Sequence, residues 1–496
     1  MDNALRIYNE TNKKIKALSL AFFLIGWDMQ TEQPKNADHG EQMATLSEME
    51  YNISTSPEYK DAINTLYENR DSLNDLLKHE ITVMKENNDK LSKIPVEEYV
   101  AFSALTNEFY GVYVEAKRNN DFEKAMPYYQ KIIDYRKKYV KWLETPTLSG
   151  YNLLLDDFEK GMDICAYDEF FNLLKEKLVP LIAKINSLKK EEFPFAKLHY
   201  PAEKQKLYQE YLREVFGFSP DNTVIKESEH PFTSNNTISD VRITNHFYED
   251  NFVSSIFSAI HEMGHGIYEL QVGPEIDATM SGGGASMAMH ESQSRFMENM
   301  VGRSKAFWNR HFGKLQEIFP EQLKGVTADD MYRYVNSVEC SLIRTEADEL
   351  TYGMHVLVRY EMEKAILSGN ITAEQIPEKW NALYKEYLGV EVPDDTHGCL
   401  QDVHWAYGEF GYFPTYALGS AYGAQIYHAM NQDFDIEQAI ADGDMQKIKD
   451  WLKEKIHKYG SSKFSKDILQ SATNEPFNPN YYVDYLVKKY TKLYNL

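Results

Sequence analysis

His261, Glu262 and His265 stand in the pattern H-E-x-x-H, within the segment SSIFSAIHEMGHGIYEL. These residue types can hold a divalent metal and move a proton beside it. On a helix, residues four apart share one side, so the two imidazoles can meet a single ion. The segment carries the stripe expected of such a helix: Ile256, Ile260, Met263 and Ile267 recur at steps of four, three and four. At about 100° per residue the two histidines lie roughly 140–180° from that stripe. One side therefore packs inward and the opposite side presents the imidazoles. Glu262 falls beside the histidine face.

A catalytic zinc takes three protein ligands and keeps one position for water. A third histidine is not found downstream, where Tyr268 and Val272 follow. Glu291, in MAMHESQSRFMENM, is the best carboxylate for the missing place, 26 residues beyond His265. Glu269, one turn past His265, competes as a ligand or as an acceptor for a histidine N–H. His290, next to Glu291, is a second candidate for that outer role. The chemistry these residues suit is peptide hydrolysis. A zinc ion lowers the pKa of water to about 7 and polarises a carbonyl. Glu262 then accepts the water proton and passes it to the leaving amine.

These residues need a frame that turns the chain back on itself. Helical periodicity dominates: Leu5, Tyr8, Ile15, Leu18 and Phe22 share one face, as do Phe102, Leu105, Phe109 and Val112. Long helical patterns run through 157–190, 294–318, 329–369 and 376–388. Asp240 to Thr244 alternates with period two, which predicts a strand with Val241 and Ile243 on one face and Asp240, Arg242 and Thr244 on the other. Gly282, Gly283 and Gly284 interrupt the helical pattern before Glu291 and predict a mobile or tightly turned loop. No repeat, linker or low-complexity tract divides the chain. The expected class is mainly α, a large helical body with a few short strands.

Composition narrows the function. The chain has 496 residues, 43% of them hydrophobic, enough for a large core. Its 53 Lys and Arg against 76 Asp and Glu give a net charge of −23, which argues against nucleic acid as a partner. The three cysteines, Cys165, Cys340 and Cys399, are scattered, with no C-x-x-C pair. A reducing, cytoplasmic setting is expected. No membrane association is expected, since the apolar run from Leu18 to Trp27 is too short to span a bilayer.

Beyond the zinc helix, five further segments carry a resemblance. They are HPF at 230–232, DVRIT at 240–244, HESQ at 290–293, IRTEAD at 343–348 and GCLQDVHW at 398–405. With HEMGH at 261–265 they resemble, in order, the motifs of the carboxypeptidase Taq family of metallocarboxypeptidases. The resemblance implies a mostly helical single body with a deep central groove and an HExxH zinc site. One catalytic domain over 1–496 is implied, with about 1–200 forming one wall of the groove and about 225–425 bearing the motifs. It also implies a homodimer that releases single residues from peptides with a free C-terminus. Specificity is expected to be broad and action at proline poor. One zinc ion per chain is the expected cofactor, with cobalt able to replace it.

A carboxypeptidase must grip the terminal carboxylate, which a guanidinium does with two prongs. Arg344 is the first choice, although a plain Arg344–Asp348 pair four apart on a helix is an alternative. Arg242 is the second choice, against a simple link to Asp240. His230 is expected to donate to an oxyanion or substrate backbone, or else to serve only as a turn residue before Pro231. His404 is expected to touch substrate or support a zinc ligand. Gln401, Asp402 and Trp405 are expected to build a wall of the groove. Tyr416, with Tyr407 and Tyr422 behind it, is a candidate phenolic donor to the tetrahedral intermediate. Two other readings compete: a zinc oligopeptidase or dipeptidase-type enzyme, and a helical scaffold with a structural metal. The presence of Glu262 with all three ligands argues against the scaffold.

Overall fold

The computed structural model describes residues 1–32 and 39–496. Helices α1 (Asp2–Thr31), α2 (Gly40–Ser54), α3 (Pro57–Glu68), α4 (Asp75–Lys93), α5 (Val96–Asn119) and α6 (Phe122–Leu143) make up the first stretch. Helices α7 (Tyr151–Phe158), α8 (Ile164–Asn186) and α9 (Ala202–Phe216) follow. Three strands come next, β1 (Thr223–Glu227), β2 (Thr233–Thr237) and β3 (Asp240–Asn245). Then come α10 (Phe252–Leu270), α11 (Pro274–Asp277), α12 (Met287–Arg295), α13 (Lys305–Ile318), α14 (Ala328–Val335), α15 (Glu349–Ser368) and α16 (Ile376–Leu388). The chain closes with α17 (Pro414–Asp433), α18 (Ile436–Asp442), α19 (Met445–Lys455), α20 (Ser465–Thr473) and α21 (Asn480–Tyr494). The expected mainly helical class with short strands is what is found. Among the described residues no helix is long and apolar enough to cross a membrane.

One large core runs from α5 to α21, and a smaller one joins α1, α3 and α4 through Tyr8, Ile15, Tyr59 and Ile63. The sheet has order β1-β3-β2, with β1 parallel and β2 antiparallel to β3. The burial alternation expected of β3 holds over 240–243, with Val241 and Ile243 fully buried and Ile243 packed against α10 at Gly266, but it ends at Thr244, which is buried too, its hydroxyl accepting from Ser228 Oγ and Phe232 N. Trp27 of α1 meets Phe232, the residue before β2, edge-on at 5.9 Å, joining α1 to the flank of the sheet.

The expected helical runs are shorter than their periodicity suggested, and side-chain caps explain why. The run 157–190 starts on the last residues of α7, breaks, and resumes as α8 at Ile164, where Asp163 accepts from Ala166 N at 2.9 Å. The run 294–318 is interrupted by a π-turn at Phe296–Gly302, after which Ser304 caps α13. The run 329–369 breaks between Val335 and Glu349. There the Asp348 carboxylate accepts from Leu350 N and Thr351 N, both at 3.0 Å, and starts α15. A carboxylate that satisfies two orphan amides favours a new helix start over continuation. The run 376–388 is one helix as expected.

The element that matters most is α12, held between α10 and α17. Its neighbours are glycines at the points of contact. A Cβ at Gly264 would stand 2.6 Å from Ser294 Cα and 2.7 Å from the Gln293 carbonyl oxygen. A Cβ at Gly419 would stand 2.7 Å from Glu291 Cβ. Both contacts are with backbone or with the rigid base of a side chain, so nothing small can move aside. Gly264→Ala and Gly419→Ala should therefore each cost about 1–3 kcal/mol by overpacking. Urea unfolding measures this, and a loss under about 0.5 kcal/mol would show that α12 has room to shift.

Candidate metal centre and active-site groove

The helix stripe behaves as its spacing predicts: Ile256, Ile260, Met263 and Ile267 are buried in the core. The opposite side aims His261 and His265 at α12. His261 Nε2 lies 3.6 Å and His265 Nε2 3.7 Å from Glu291 Oε2. The three ligand atoms all fall within 4.8 Å of one another. Atoms bound at about 2.0–2.2 Å to one tetrahedral ion stand roughly 3.4 Å apart, so the spacing fits a shared metal. It is too long for hydrogen bonds.

The far nitrogens are held from behind. His261 Nδ1 is 2.9 Å from Glu298 Oε2. His265 Nδ1 is 2.6 Å from His290 Nδ1, and His290 Nε2 is 2.6 Å from Glu269 Oε1. With both Nδ1 atoms engaged outward, both Nε2 atoms are left for the ion. Glu269 is thus not a ligand. It anchors His290 and also accepts from Gly284 N at 3.1 Å and from Asn235 Nδ2 at 2.7 Å. The glycine loop is a tight turn fastened to this carboxylate. On Glu291, Oε1 accepts from Arg295 Nε at 2.6 Å and Oε2 from Ser294 Oγ at 3.0 Å.

Charge is balanced around this cluster. Burial disfavours the Glu298 carboxylate, yet Arg295, His261 and Arg303 hold it well below the usual carboxylate range. Burial alone would depress His261, but Glu291 and Glu298 keep its pKa above the ordinary value. Burial raises Glu262, against the pull of His261 and Thr233. The Thr233 hydroxyl donates to Glu262 Oε2 at 2.7 Å. A carboxyl raised in this way is matched to taking up and releasing a proton.

A cavity of about 620 Å³ opens beside the cluster, lined by His261, Glu262, Glu291, Arg295, Arg344 and Tyr416 among others. Arg344 is buried. Its Nε and Nη2 donate to Asp402 Oδ1 at 3.1 and 2.9 Å. Its Nη1 lies 3.4 Å from Tyr352 Oη, and the guanidinium lies 4.9 Å over the Tyr416 ring. Asp402 is gripped by Arg359 as well, and Gln401 Oε1 accepts from Arg344 N at 3.0 Å and Arg359 Nη2 at 2.7 Å. Gln401 and Asp402 therefore brace the arginine from behind.

Several expected placements are corrected. Arg344 does not pair with Asp348, which is occupied in capping α15; the helix break separates them. Arg242 is on the face of β3 opposite Ile243, bound to Asp240 at 2.8 and 2.9 Å and packed over Phe23 and Trp27. The strand alternation turns it toward α1, and it does not line the cavity. His230 is exposed in the bend before Pro231, and among the described residues only its carbonyl is engaged, by Ser228 Oγ at 2.6 Å. His404 reaches Tyr416 Oη at 3.4 Å, not a metal ligand, and burial lowers its pKa to about 4. Tyr407 is 40% exposed and stacks on Tyr110; Tyr422 is buried against Glu159. Neither lines the cavity. Trp405 donates to Glu363 Oε1 at 2.8 Å in the core.

Sequence reading missed Glu298, Arg295, Thr233 and Tyr352. Glu298 had only a weak signal: it stands seven residues after Glu291, but the π-turn that starts at Phe296 shifts the helical register between them. Thr233 had none, because strand β2 is not periodic in its polarity.

A helical body with two histidines of an HExxH helix, a carboxylate from a second helix and a buried glutamate beside them defines a metallopeptidase. Residues 7–490 match the model of the carboxypeptidase Taq (M32) metallopeptidase family. The chain belongs to that family and is a metallocarboxypeptidase. It is 40% identical over 491 residues to Carboxypeptidase 1 of Bacillus subtilis (strain 168), covering 98% of this chain and 97% of the relative. It is 34% identical over 492 residues to Thermostable carboxypeptidase 1 of Pyrococcus furiosus, covering 96% of each. The crystal structure of M32 carboxypeptidase from Deinococcus radiodurans R1 superposes with a TM-score of 0.95 at 31% identity, over 99% of this chain and 100% of the other.

Removing the carboxylate behind His261 should weaken metal binding without removing a ligand. Glu298→Gln is expected to lower metal affinity ten- to a hundredfold, read by competition with a chromogenic chelator. An unchanged affinity would show that Glu298 does not orient His261.

Proposed function

We propose that the chain is a zinc-dependent carboxypeptidase that releases single C-terminal residues from peptides. The observation that carries this reading is the shared cavity: His261, Glu291, Glu262 and the buried Arg344 line one space, and His265 completes the set of three converging ligand atoms. His261 Nε2, His265 Nε2 and Glu291 Oε2 would hold the ion. Zinc bound there supplies a water of pKa near 7 and a polarised carbonyl; the two-nitrogen, one-oxygen donor set suits it, with cobalt able to substitute.

Glu262 acts on the water as general base and returns the proton to the leaving amine. Its raised pKa and the Thr233 hydrogen bond support that shuttle. Arg344 takes the substrate's terminal carboxylate. Asp402 occupies the Nε edge, which leaves Nη1 beside Tyr352 for the substrate. Tyr416, packed over Arg344 and touching His404, donates to the developing oxyanion.

Family likeness supports broad specificity with poor action at proline, and a homodimer in the cytoplasm. Family likeness likewise supports a wall of the groove built by the part of the chain before about residue 200.

A matched pair of peptides tests the reading, one with a free C-terminus and one amidated. The free acid should be shortened one residue at a time, and the amide at least a hundredfold more slowly. Arg344→Ala should lower kcat/KM on the free acid by about the same factor and leave the amide unaffected. Glu262→Gln should lower kcat by roughly 10²–10⁴. Equal rates on the two peptides would instead favour an oligopeptidase.

A further inference from the structure

A second cavity, of about 1130 Å³, shares no lining residue with the metal groove. It lies between the start of α13, α14, α18 and the C-terminal α21. Its cationic lining is Lys305, Arg310, Arg333, Lys488, Lys489 and Lys492, against Asp329 and Glu437. This inverts the balance of the chain, in which 76 acids outnumber 53 bases.

Internal pairing uses up half of that positive charge. Asp329 takes Lys305 at 2.6 Å and Arg333 at 2.8 Å. Lys489 is paired with Glu349 in the wall behind. Among the described residues, Arg310, Lys488 and Lys492 have no carboxylate at ion-pair distance; Arg310 donates only to the Ala441 carbonyl, at 2.9 Å. In so acidic a protein, three unpaired cations around one cavity are unexpected.

The helix geometry sharpens the point. Tyr485, Lys488, Lys489 and Lys492 follow at steps of three, one and three along α21, and all four line the cavity. Lysines one turn apart on a helix repel each other. An anion between α21 and Arg310 of α13 would remove that repulsion. A guanidinium and ammonium groups facing one another suit tetrahedral oxyanions. Tyr332 and Tyr427 also line the same wall.

The geometry points to a binding site for a compact polyanion of the phosphate or sulfate ester type, separate from the peptidase groove. The cations surround one concave space, which fits a compact ligand better than an extended acidic chain.

Calorimetry on the full-length, metal-loaded protein tests this, with myo-inositol hexasulfate as probe because sulfate esters bind metal ions weakly. Wild type should bind one equivalent, with affinity falling as salt rises. Lys488→Glu with Lys492→Glu should weaken binding at least tenfold and leave peptidase activity without the probe unchanged. Lys13→Glu with Lys14→Glu, the same charge change on exposed α1, should bind as wild type. If the glutamate pair unfolds, Lys488→Gln with Lys492→Gln decides, with an expected loss of at least threefold. The proposal is overturned if wild type shows no saturable binding, if the α1 control loses as much, or if a folded cavity variant binds unchanged. Equal affinity for a hexaglutamate peptide would overturn the compact-polyanion assignment.

Discussion

At Gly264 the backbone of α10 touches the backbone of α12 with no side chain between them, and at Gly419 α17 presses the other side of α12 against the base of the Glu291 side chain. That double contact sets where Glu291 stands. Helices normally pack with axes 8–10 Å apart because side chains keep them there. Here the glycines let α12 come closer, so a short carboxylate reaches two imidazoles on the neighbouring helix. The HEMGH segment therefore does two jobs: its polar residues face the metal position, and its glycine admits the helix that completes the ligand set.

Bringing these groups together inside the protein gathers several charges in little water. Two glutamates, one histidine and two arginines lie within one hydrogen-bonded network, and His265, His290 and Glu269 form a second beside it. Arg295 bridges Glu291 and Glu298, and Arg303 adds a second cation to Glu298. Buried charges left unpaired would be strongly destabilising, whereas paired ones cost far less. The same solution recurs at the far end of the groove, where Asp402 stands between Arg344 and Arg359. In both places a buried charge is held by oppositely charged partners on neighbouring turns or elements. The π-turn at Phe296–Gly302 belongs to this scheme, since it carries Glu298 to the back of His261.

Much of this was legible in residue spacing. The H-E-x-x-H pattern with its opposing stripe located the metal face of α10, and Glu291 was reachable by counting ligands. The alternation of Asp240 to Thr244 identified β3. Element ends were less legible: periodicity ran through Asp348 and Ser304 without sensing that their side chains cap new helices. Arg242 and His230 illustrate a second limit. A strand pattern says which residues share a face, but not that α1 covers that face. Glu298 was missed because a π-turn shifts the helical register by a residue. Thr233 was missed because its role depends wholly on which helix β2 lies beside.

The account stands on one claim, that His261, His265 and Glu291 together hold one divalent ion. X-ray absorption at the metal edge, with metal content per chain measured on the same sample, tests it most directly. The account predicts one zinc per chain, with two imidazole nitrogens at about 2.0–2.1 Å and carboxylate or water oxygens at about 2.0–2.2 Å. A shell of one imidazole or none, a thiolate sulfur near 2.3 Å, or the same spectrum from Glu291→Ala would contradict it.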